Sequence, residues 1–80
     1  MDTYTAVKHR LLRLLEEKNM SIHKLAIESA VAPSTIKNIL YGKSVNPGVV
    51  TLKMLCDGLG ITLSEFFDTE EFKQLEQEIV

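Results

Sequence analysis

The sequence predicts an all-α fold, in which five short helices form one compact bundle and a sixth helix follows. Apolar residues recur at helical spacing almost throughout the chain, and no run alternates between apolar and polar residues as a strand does. With 80 residues, of which 45% are hydrophobic, the chain is large enough for one core and too short for two. A single small domain is therefore expected.

The first two helices are predicted from residues that cap helix N-termini. The first extends from about Thr5 to Lys18, with Asp2 or Thr3 available as its cap. The second covers residues 22–29 and follows Ser21, which is a preferred cap residue. Such side chains accept hydrogen bonds from the free N–H groups of a first helical turn, so each one marks where its helix begins.

The third and fourth helices are bounded by proline and glycine. The third is predicted over Pro33–Tyr41, because proline suits a first helical turn and Gly42 suits a left-handed stop. After a turn signal at residues 46–48, the fourth is predicted over Val49–Leu59. Gly58 lies inside this helix, where glycine costs about 1 kcal/mol relative to alanine. The expected core positions of the fourth helix are Val49, Leu52, Leu55, Cys56 and Leu59.

The fifth and sixth helices are predicted from two capping-box patterns. Thr62 with Glu65 begins a short helix, and Asp68 with Glu71 begins the last one. The last helix carries an apolar stripe at helical spacing, formed by Phe72, Leu75 and Ile79. This stripe either docks on the chain's own core or pairs with the same stripe of a second copy, and we favour the pairing.

The composition gives no sign of a metal site, a cofactor or a catalytic centre. A single cysteine, Cys56, cannot form an internal disulfide, and two histidines with one cysteine cannot supply four zinc ligands. No glycine-rich phosphate loop or nucleophile elbow is present, so no enzymatic activity is expected. No apolar run approaches the roughly 18 residues of a membrane span, and no leader-like start is present, so we expect a cytoplasmic protein without membrane contact.

The charges are distributed unevenly along the chain. Residues 1–48 hold seven Lys or Arg against four acids, a net charge of +3. Residues 49–80 hold two against seven, a net charge of −5, so that the whole chain carries −2. This asymmetry suggests that the front half faces a polyanion. Acids that merely cover a C-terminal surface explain the rear half equally well.

The third predicted helix has one apolar and one polar face. At about 100° per residue, its apolar arc consists of Ile36, Ile39 and Leu40. Its opposite arc contains no acid and consists of Ser34, Lys37, Asn38 and Tyr41. The amide of an asparagine can bond N6 and N7 of adenine at once, and a serine can reach a base edge or a phosphate. The polar arc is therefore a candidate DNA contact, although each residue alone is more simply explained as a solvated side chain.

Three ordered motifs give the sequence a resemblance to a known family. They are EKNMS…LA over residues 17–26, STI with Ile39 and Gly42, and NP…TL…L…LGITLSEFF over residues 46–67. In this order and at these spacings, residues 7–67 resemble the Cro and lambda-repressor-like helix-turn-helix domain of the XRE family. The resemblance implies that residues 1–68 form a DNA-binding domain whose third helix enters the major groove. Repressors of this type bind as two-fold dimers, so the C-terminal helix over residues 69–80 is a candidate dimerisation element of a homodimer.

The resemblance also implies which residues contact double-stranded DNA. The base-reading positions fall on Pro33, Ser34 and Asn38, with Lys37 beside them. The phosphate-contacting positions fall on Ser21, on the backbone N–H groups of Ile22 and His23, and after the third helix on Tyr41, Lys43 and Ser44. A helix N-terminus suits a phosphate because its free N–H groups and its dipole favour an anion. No cofactor and no small-molecule ligand is expected.

The sequence departs from the family pattern at several positions. Ile22 replaces a frequent Gln, which removes a side-chain contact to DNA. Ala30 stands where a turn glycine is usual, at a cost of about 1 kcal/mol if its backbone is left-handed. Leu15 and Leu40 replace an Arg and a Glu that form an ion pair in many members, and we expect the two leucines to contact each other.

The favoured function is a sequence-specific DNA-binding regulator of transcription, of the repressor type, in a bacterium or phage. The alternative is a protein-interaction module, such as an antitoxin-like or adaptor subunit, built on the same bundle. The acidic rear half and the overall negative charge favour the alternative. Binding to DNA through several phosphates weakens steeply with salt, so a salt titration separates the two functions.

Overall fold

A computed structural model describes residues 1–79, and all regular secondary structure in this part of the chain is helical. The helices are α1 (Thr3–Glu17), α2 (Ile22–Ser29), α3 (Pro33–Leu40), α4 (Val49–Leu59), α5 (Leu63–Phe67) and α6 (Glu70–Lys73). The predicted all-α fold is confirmed. None of the described helices is long and apolar enough to cross a membrane.

One hydrophobic core holds the first five helices together. Helix α2 packs against both α3 and α4, α1 packs against α3 and α6, and α5 packs against α4. Leu11, Leu25 and Phe66 are among the largest fully buried side chains. Leu15 and Leu40 are both buried members of the same cluster, and their direct contact stays a prediction.

The predicted N-terminal caps of α1, α2 and α5 are confirmed. The Asp2 carboxylate accepts a hydrogen bond from the Thr5 amide at 2.8 Å, which begins α1. The Thr62 hydroxyl accepts from the Glu65 amide at 3.0 Å, and the Glu65 carboxylate accepts from the Thr62 amide at 3.1 Å. Both bonds of the capping box of α5 are therefore made.

Helices α1, α3 and α4 end in the same way. Each is followed by a residue with a left-handed backbone, which is Asn19 after α1 (φ +50°), Gly42 after α3 (φ +82°) and Gly60 after α4 (φ +73°). The next amide then donates back to a carbonyl five residues earlier, as Met20 does to Leu15 at 2.9 Å. This is the Schellman arrangement, and it satisfies carbonyls that the helix itself leaves free.

The turn between α2 and α3 keeps its left-handed backbone without a glycine. Ala30 has φ +57° and ψ +28°, as the resemblance implied. Ser29 supports the turn, because its buried hydroxyl donates to the Leu25 carbonyl at 2.6 Å and accepts from the Val31 amide at 3.3 Å. The bend between the two helices is therefore held by local hydrogen bonds.

Helices α2 and α4 approach each other most closely at Gly58. A Cβ atom at this position would lie 2.8 Å from the Ser29 Cβ and 2.9 Å from the Ser29 amide nitrogen. Both distances are too short for a real contact. The glycine thus has a packing role that its low helix propensity alone does not reveal.

The prediction that Val49 is a core residue is wrong. Its side chain is 71% exposed, and that of the next residue, Val50, is 73% exposed. Leu52, one turn later, is buried as predicted. The first turn of α4 therefore extends beyond the helices that cover the rest of its apolar stripe.

The prediction for the last helix is wrong in its cap and in its length. Thr69, rather than Asp68, caps α6, and its hydroxyl accepts from the Phe72 amide at 3.5 Å. The helix ends at Lys73 after a single turn. Val80, the last residue of the predicted element, lies outside the described residues.

Beyond α6, two acidic side chains bind the start of α1. The Glu78 carboxylate accepts hydrogen bonds from the Thr3 amide at 2.9 Å and from the Thr3 hydroxyl at 2.8 Å. Glu76 pairs with the N-terminal amino group at 3.7 Å. These contacts draw residues 74–79 across the bundle in a non-helical conformation.

The apolar stripe expected on the last helix is therefore not a helical face. Phe72 packs on its own chain, with its ring centroid 4.9 Å from that of Phe67 and 6.0 Å from that of Phe66. Leu75 is half-buried, and Ile79 is 79% exposed. Of the two arrangements that the sequence left open, docking on the chain's own core describes Phe72.

Candidate nucleic-acid interface

Helix α3 presents its polar face to solvent. Its apolar residues Ile36, Ile39 and Leu40 are buried in the core. The opposite side of the helix exposes Ser34, Lys37 and Asn38, and Tyr41, directly after the helix, is 66% exposed. Within residues 1–79, none of these four polar side chains forms a hydrogen bond or an ion pair. The face is therefore free to bind another molecule.

The start of α3 lies beside the start of α2. Pro33 is the first residue of α3, and the cap residue before it, Ala32, makes no side-chain hydrogen bond. Pro33 is exposed, and together with His23 it lines a shallow apolar concavity of about 420 Å³. Ile27, 63% exposed, lines the same surface. A predicted base-reading residue and a predicted phosphate-contacting residue thus border one concave surface.

The N-terminus of α2 has two amides available. The Ser21 hydroxyl caps the helix by accepting from the Lys24 amide at 3.0 Å, which leaves its own hydrogen free to donate. The amides of Ile22 and His23 precede the first intrahelical bonds and donate to no group in the described part of the chain. The Ile22 side chain packs against the core, so only its amide can face a ligand.

After α3, Lys43 and Ser44 have only their side chains available for an outside partner. The amides of Lys43 and Ser44 both donate to the Asn38 carbonyl, each at 2.9 Å. The Lys43 side chain is exposed, whereas Ser44 is half-buried. The phosphate contacts expected here must therefore come from the Lys43 ammonium group and from the hydroxyls of Tyr41 and Ser44.

Within the described residues, the two lysines of this face have no acidic partner, unlike three of the other lysines. Lys24, Lys53 and Lys73 each form an ion pair with a nearby carboxylate. Lys37 and Lys43 form none with any residue from 1 to 79. Their charges are not neutralised locally and can act on a polyanion.

Two long-range contacts around the site give no signal in the sequence. The Tyr4 hydroxyl of α1 donates to the carbonyl of Ile39 in α3 at 2.5 Å. Arg10, one of the cations of the front half, donates to the carbonyl oxygens of Phe66 at 2.8 Å and Glu65 at 3.0 Å. Arg10 thus holds the end of α5 and is not part of the exposed face. Both partners are far away in sequence, and a backbone carbonyl has no sequence signature.

Cys56 is not placed to react. Its side chain is fully buried in α4, and burial raises the pKa of the Cys56 thiol above its ordinary value. Over residues 1–79 there is also no group of three or more His, Cys, Asp or Glu side chains able to hold a metal ion.

Comparison with known proteins agrees with this geometry. A family model described as a Cro/C1-type HTH DNA-binding domain matches residues 10–71. The chain belongs to the Cro/C1-type helix-turn-helix family. It is also similar to the HTH-type transcriptional regulator SlrR of Bacillus subtilis (strain 168), with 40% identity over 62 residues. This match covers 76% of the chain and 41% of SlrR, so the chain spans about two fifths of the length of that relative. No solved structure matches the chain at a significant level.

Proposed function

We propose that the chain is a sequence-specific DNA-binding regulator of transcription, of the repressor type, and that it inserts α3 into the major groove. The observation that carries the proposal is the free polar face of α3, whose opposite side is fixed in the core. The major groove is wide enough to admit an α-helix, and base edges there present a distinct pattern for each base pair. Membership in the Cro/C1-type family supports the same conclusion.

Four residues at the start and middle of α3 read the bases in this proposal. Asn38 bonds an adenine through its amide, and Lys37 bonds a guanine or a nearby phosphate. Ser34 reaches either a base edge or a phosphate. Pro33 has no side-chain donor and supplies an apolar contact, for which a thymine methyl group is the matching partner.

Two clusters on either side of α3 clamp the DNA backbone. On one side, the free amides of Ile22 and His23 and the hydroxyl of Ser21 bind one phosphate, which the dipole of α2 also attracts. On the other side, the side chains of Tyr41, Lys43 and Ser44 contact another phosphate. These contacts fix the orientation of α3 without carrying sequence information themselves.

We further propose that the protein acts in the cytoplasm as a homodimer. Two-fold dimers of this kind read half-sites about one DNA turn apart. The predicted dimer residues do not contribute equally, because Phe72 already packs on its own chain. Ile79 is exposed and Leu75 is half-buried, so these two remain available to a second copy.

A salt titration with a random-sequence duplex pool tests DNA binding. The logarithm of the apparent association constant should fall linearly with the logarithm of salt concentration, because lysines displace counterions from the phosphates. Lys43→Ala should weaken binding to all sequences alike and lower the salt slope by about 1. The matched control is Lys53→Ala, which removes a lysine that is paired with Asp57 on α4 and should leave both quantities unchanged.

The protein-interaction alternative has a specific observation in its favour. Three apolar side chains around the start of α4 are exposed, namely Val45, Val49 and Val50. Under this alternative, the chain would show no salt-dependent binding to any duplex in the pool. If Lys43→Ala and Lys53→Ala changed DNA affinity and its salt slope equally, Lys43 would not be a phosphate contact.

A further inference from the structure

We propose that Tyr4 is a positioning residue, whose hydroxyl fixes the C-terminal end of α3 in the orientation that binds DNA. This inference rests on the proposed function. Tyr4 lies in the first turn of α1, is half-buried, and reaches across 35 residues of sequence to donate to the Ile39 carbonyl at 2.5 Å. It is outside the helix-turn-helix unit formed by α2 and α3, and its side chain does not belong to the exposed DNA-facing surface.

The hydroxyl of Tyr4 provides a partner for one of the last carbonyls of α3. The last carbonyls of a helix have no partner within the helix. Here the Lys37 carbonyl accepts from the Tyr41 amide at 2.8 Å, and the Asn38 carbonyl accepts from the amides of Lys43 and Ser44 at 2.9 Å. In a Schellman ending, the next carbonyl accepts from the left-handed residue. In this chain, the Ile39 carbonyl accepts from Tyr4 instead.

The turn after α3 is shaped around the same hydroxyl. Gly42 has φ +82°, and a Cβ atom at Gly42 would lie 3.8 Å from the Tyr4 hydroxyl oxygen. The hydroxyl thus lies over the turn that carries the chain from Tyr41 to Lys43. One group of α1 therefore binds the last turn of α3 and lies beside the reversal that follows it.

Tyr4 is itself held by two independent contacts of its neighbours. The Asp2 carboxylate caps α1 by accepting from the Thr5 amide at 2.8 Å. Thr3, directly before Tyr4, donates its amide and its hydroxyl to Glu78 at 2.9 and 2.8 Å. These hydrogen bonds hold the first turn of α1 in place, so the Tyr4 hydroxyl can orient the end of α3.

The residues oriented in this way are those that the proposed function needs. Asn38 comes directly before Ile39, and its carbonyl holds the amides of Lys43 and Ser44. A change in the direction of the Ile39 carbonyl displaces the last turn of α3, and with it a base-reading side chain and two phosphate-contacting side chains. Loss of the Tyr4 hydroxyl should therefore reduce DNA affinity even though Tyr4 does not contact DNA.

The test compares Tyr4→Phe with a control that costs similar stability elsewhere. Tyr4→Phe removes one hydroxyl and keeps the ring. The control, Thr62→Ala, removes the cap of α5, a helix that packs against α4. Affinity is measured for a duplex that the unmodified protein has selected from a random pool, at a temperature where circular dichroism shows each variant fully folded.

Tyr4→Phe should weaken binding to the selected duplex roughly 2- to 10-fold, as expected for one hydrogen bond. Thr62→Ala should leave the affinity unchanged. Lys43→Ala should also cost less affinity in the Tyr4→Phe background than in the unmodified protein, because the lysine is then no longer held in position.

Equal affinity of Tyr4→Phe and the unmodified protein would overturn the inference, as would equal losses for Tyr4→Phe and Thr62→Ala. The inference would also be overturned if the affinity losses of Tyr4→Phe and Lys43→Ala simply added in the double variant. These outcomes differ from a failure of the proposed function, in which the unmodified protein selects no duplex from the pool.

Discussion

Gly58→Ala sets helix propensity and packing against each other in one substitution. Alanine is favoured over glycine in a helix interior by about 1 kcal/mol, so propensity alone predicts a more stable protein. The structure predicts the opposite, because the new Cβ atom would lie 2.8 Å from the Ser29 Cβ, 2.9 Å from its nitrogen and 3.0 Å from its Cα. Two of these atoms belong to the backbone of α2, so relief requires the helix itself to move.

The magnitude follows from these two opposing terms. Overpacking of a core by one methyl group costs typically about 1–3 kcal/mol, and backbone neighbours place this site toward the upper end. After the gain in propensity is subtracted, Gly58→Ala should lower the free energy of unfolding by about 1–2 kcal/mol. For a domain of this size, the melting temperature should then fall by roughly 4–16 °C.

Thermal unfolding followed by circular dichroism measures this change, and a double-mutant cycle with Ser29→Gly isolates the contact. Ser29→Gly removes the nearest atom and is destabilising in itself, because the Ser29 hydroxyl supports the turn after α2. In that background, Gly58→Ala should cost less than in the unmodified protein. A higher melting temperature for Gly58→Ala, or the same cost in both backgrounds, would refute the packing argument.

Three further predictions test other parts of the structure. Phe72→Ala should lower the free energy of unfolding by about 1–3 kcal/mol without changing the mass in solution, since its ring packs on its own chain; dissociation of a dimer at unchanged stability would contradict this. Leu40→Glu should destabilise the core by about 3–5 kcal/mol, and adding Leu15→Arg should recover part of the loss if the two side chains are in contact; no recovery in chemical unfolding would refute the contact. Hydrogen bonds from threonine donors lower the pKa of the Asp2 and Glu78 carboxyls below their usual values. The pKa values of both carboxyls are therefore lower in the folded state than in the unfolded state, where they are about 4. The stability that these carboxylates contribute is present above the unfolded-state pKa and is lost as the pH falls through the folded-state pKa. The double variant with Asp2→Asn and Glu78→Gln should show a smaller loss of melting temperature on acidification. An unchanged profile would show that these two carboxylates do not contribute to the pH dependence of stability.

The local part of the fold could be predicted from the sequence. Caps and stops act within a few residues, so the starts at Ser21 and Thr62 and the left-handed Gly42 follow from local chemistry, whereas the left-handed Ala30 was implied by the family resemblance. The division of α3 into an apolar and a polar face also follows from periodicity alone. The exposed candidates Ser34, Lys37 and Asn38 were found in this way.

The parts that the sequence did not predict depend on contacts between distant residues. Whether Val49 is covered depends on where the neighbouring helices end, and helical periodicity does not contain that information. Beyond the last helix, Glu78 binds Thr3, which is 75 positions away. Tyr4 was likewise missed because its partner is a backbone carbonyl, for which no side-chain pattern exists.

The central claim is that the polar face of α3 reads base pairs, and Asn38→Ala tests it most directly. A duplex selected from random DNA by the unmodified protein is compared with a series in which each base pair is changed in turn. Asn38→Ala should lose about 1–3 kcal/mol of discrimination at one base pair and little at the others, whereas Lys43→Ala should weaken binding to the whole series alike. If Asn38→Ala instead weakens all duplexes equally, or changes none, α3 does not read the sequence and the account is wrong.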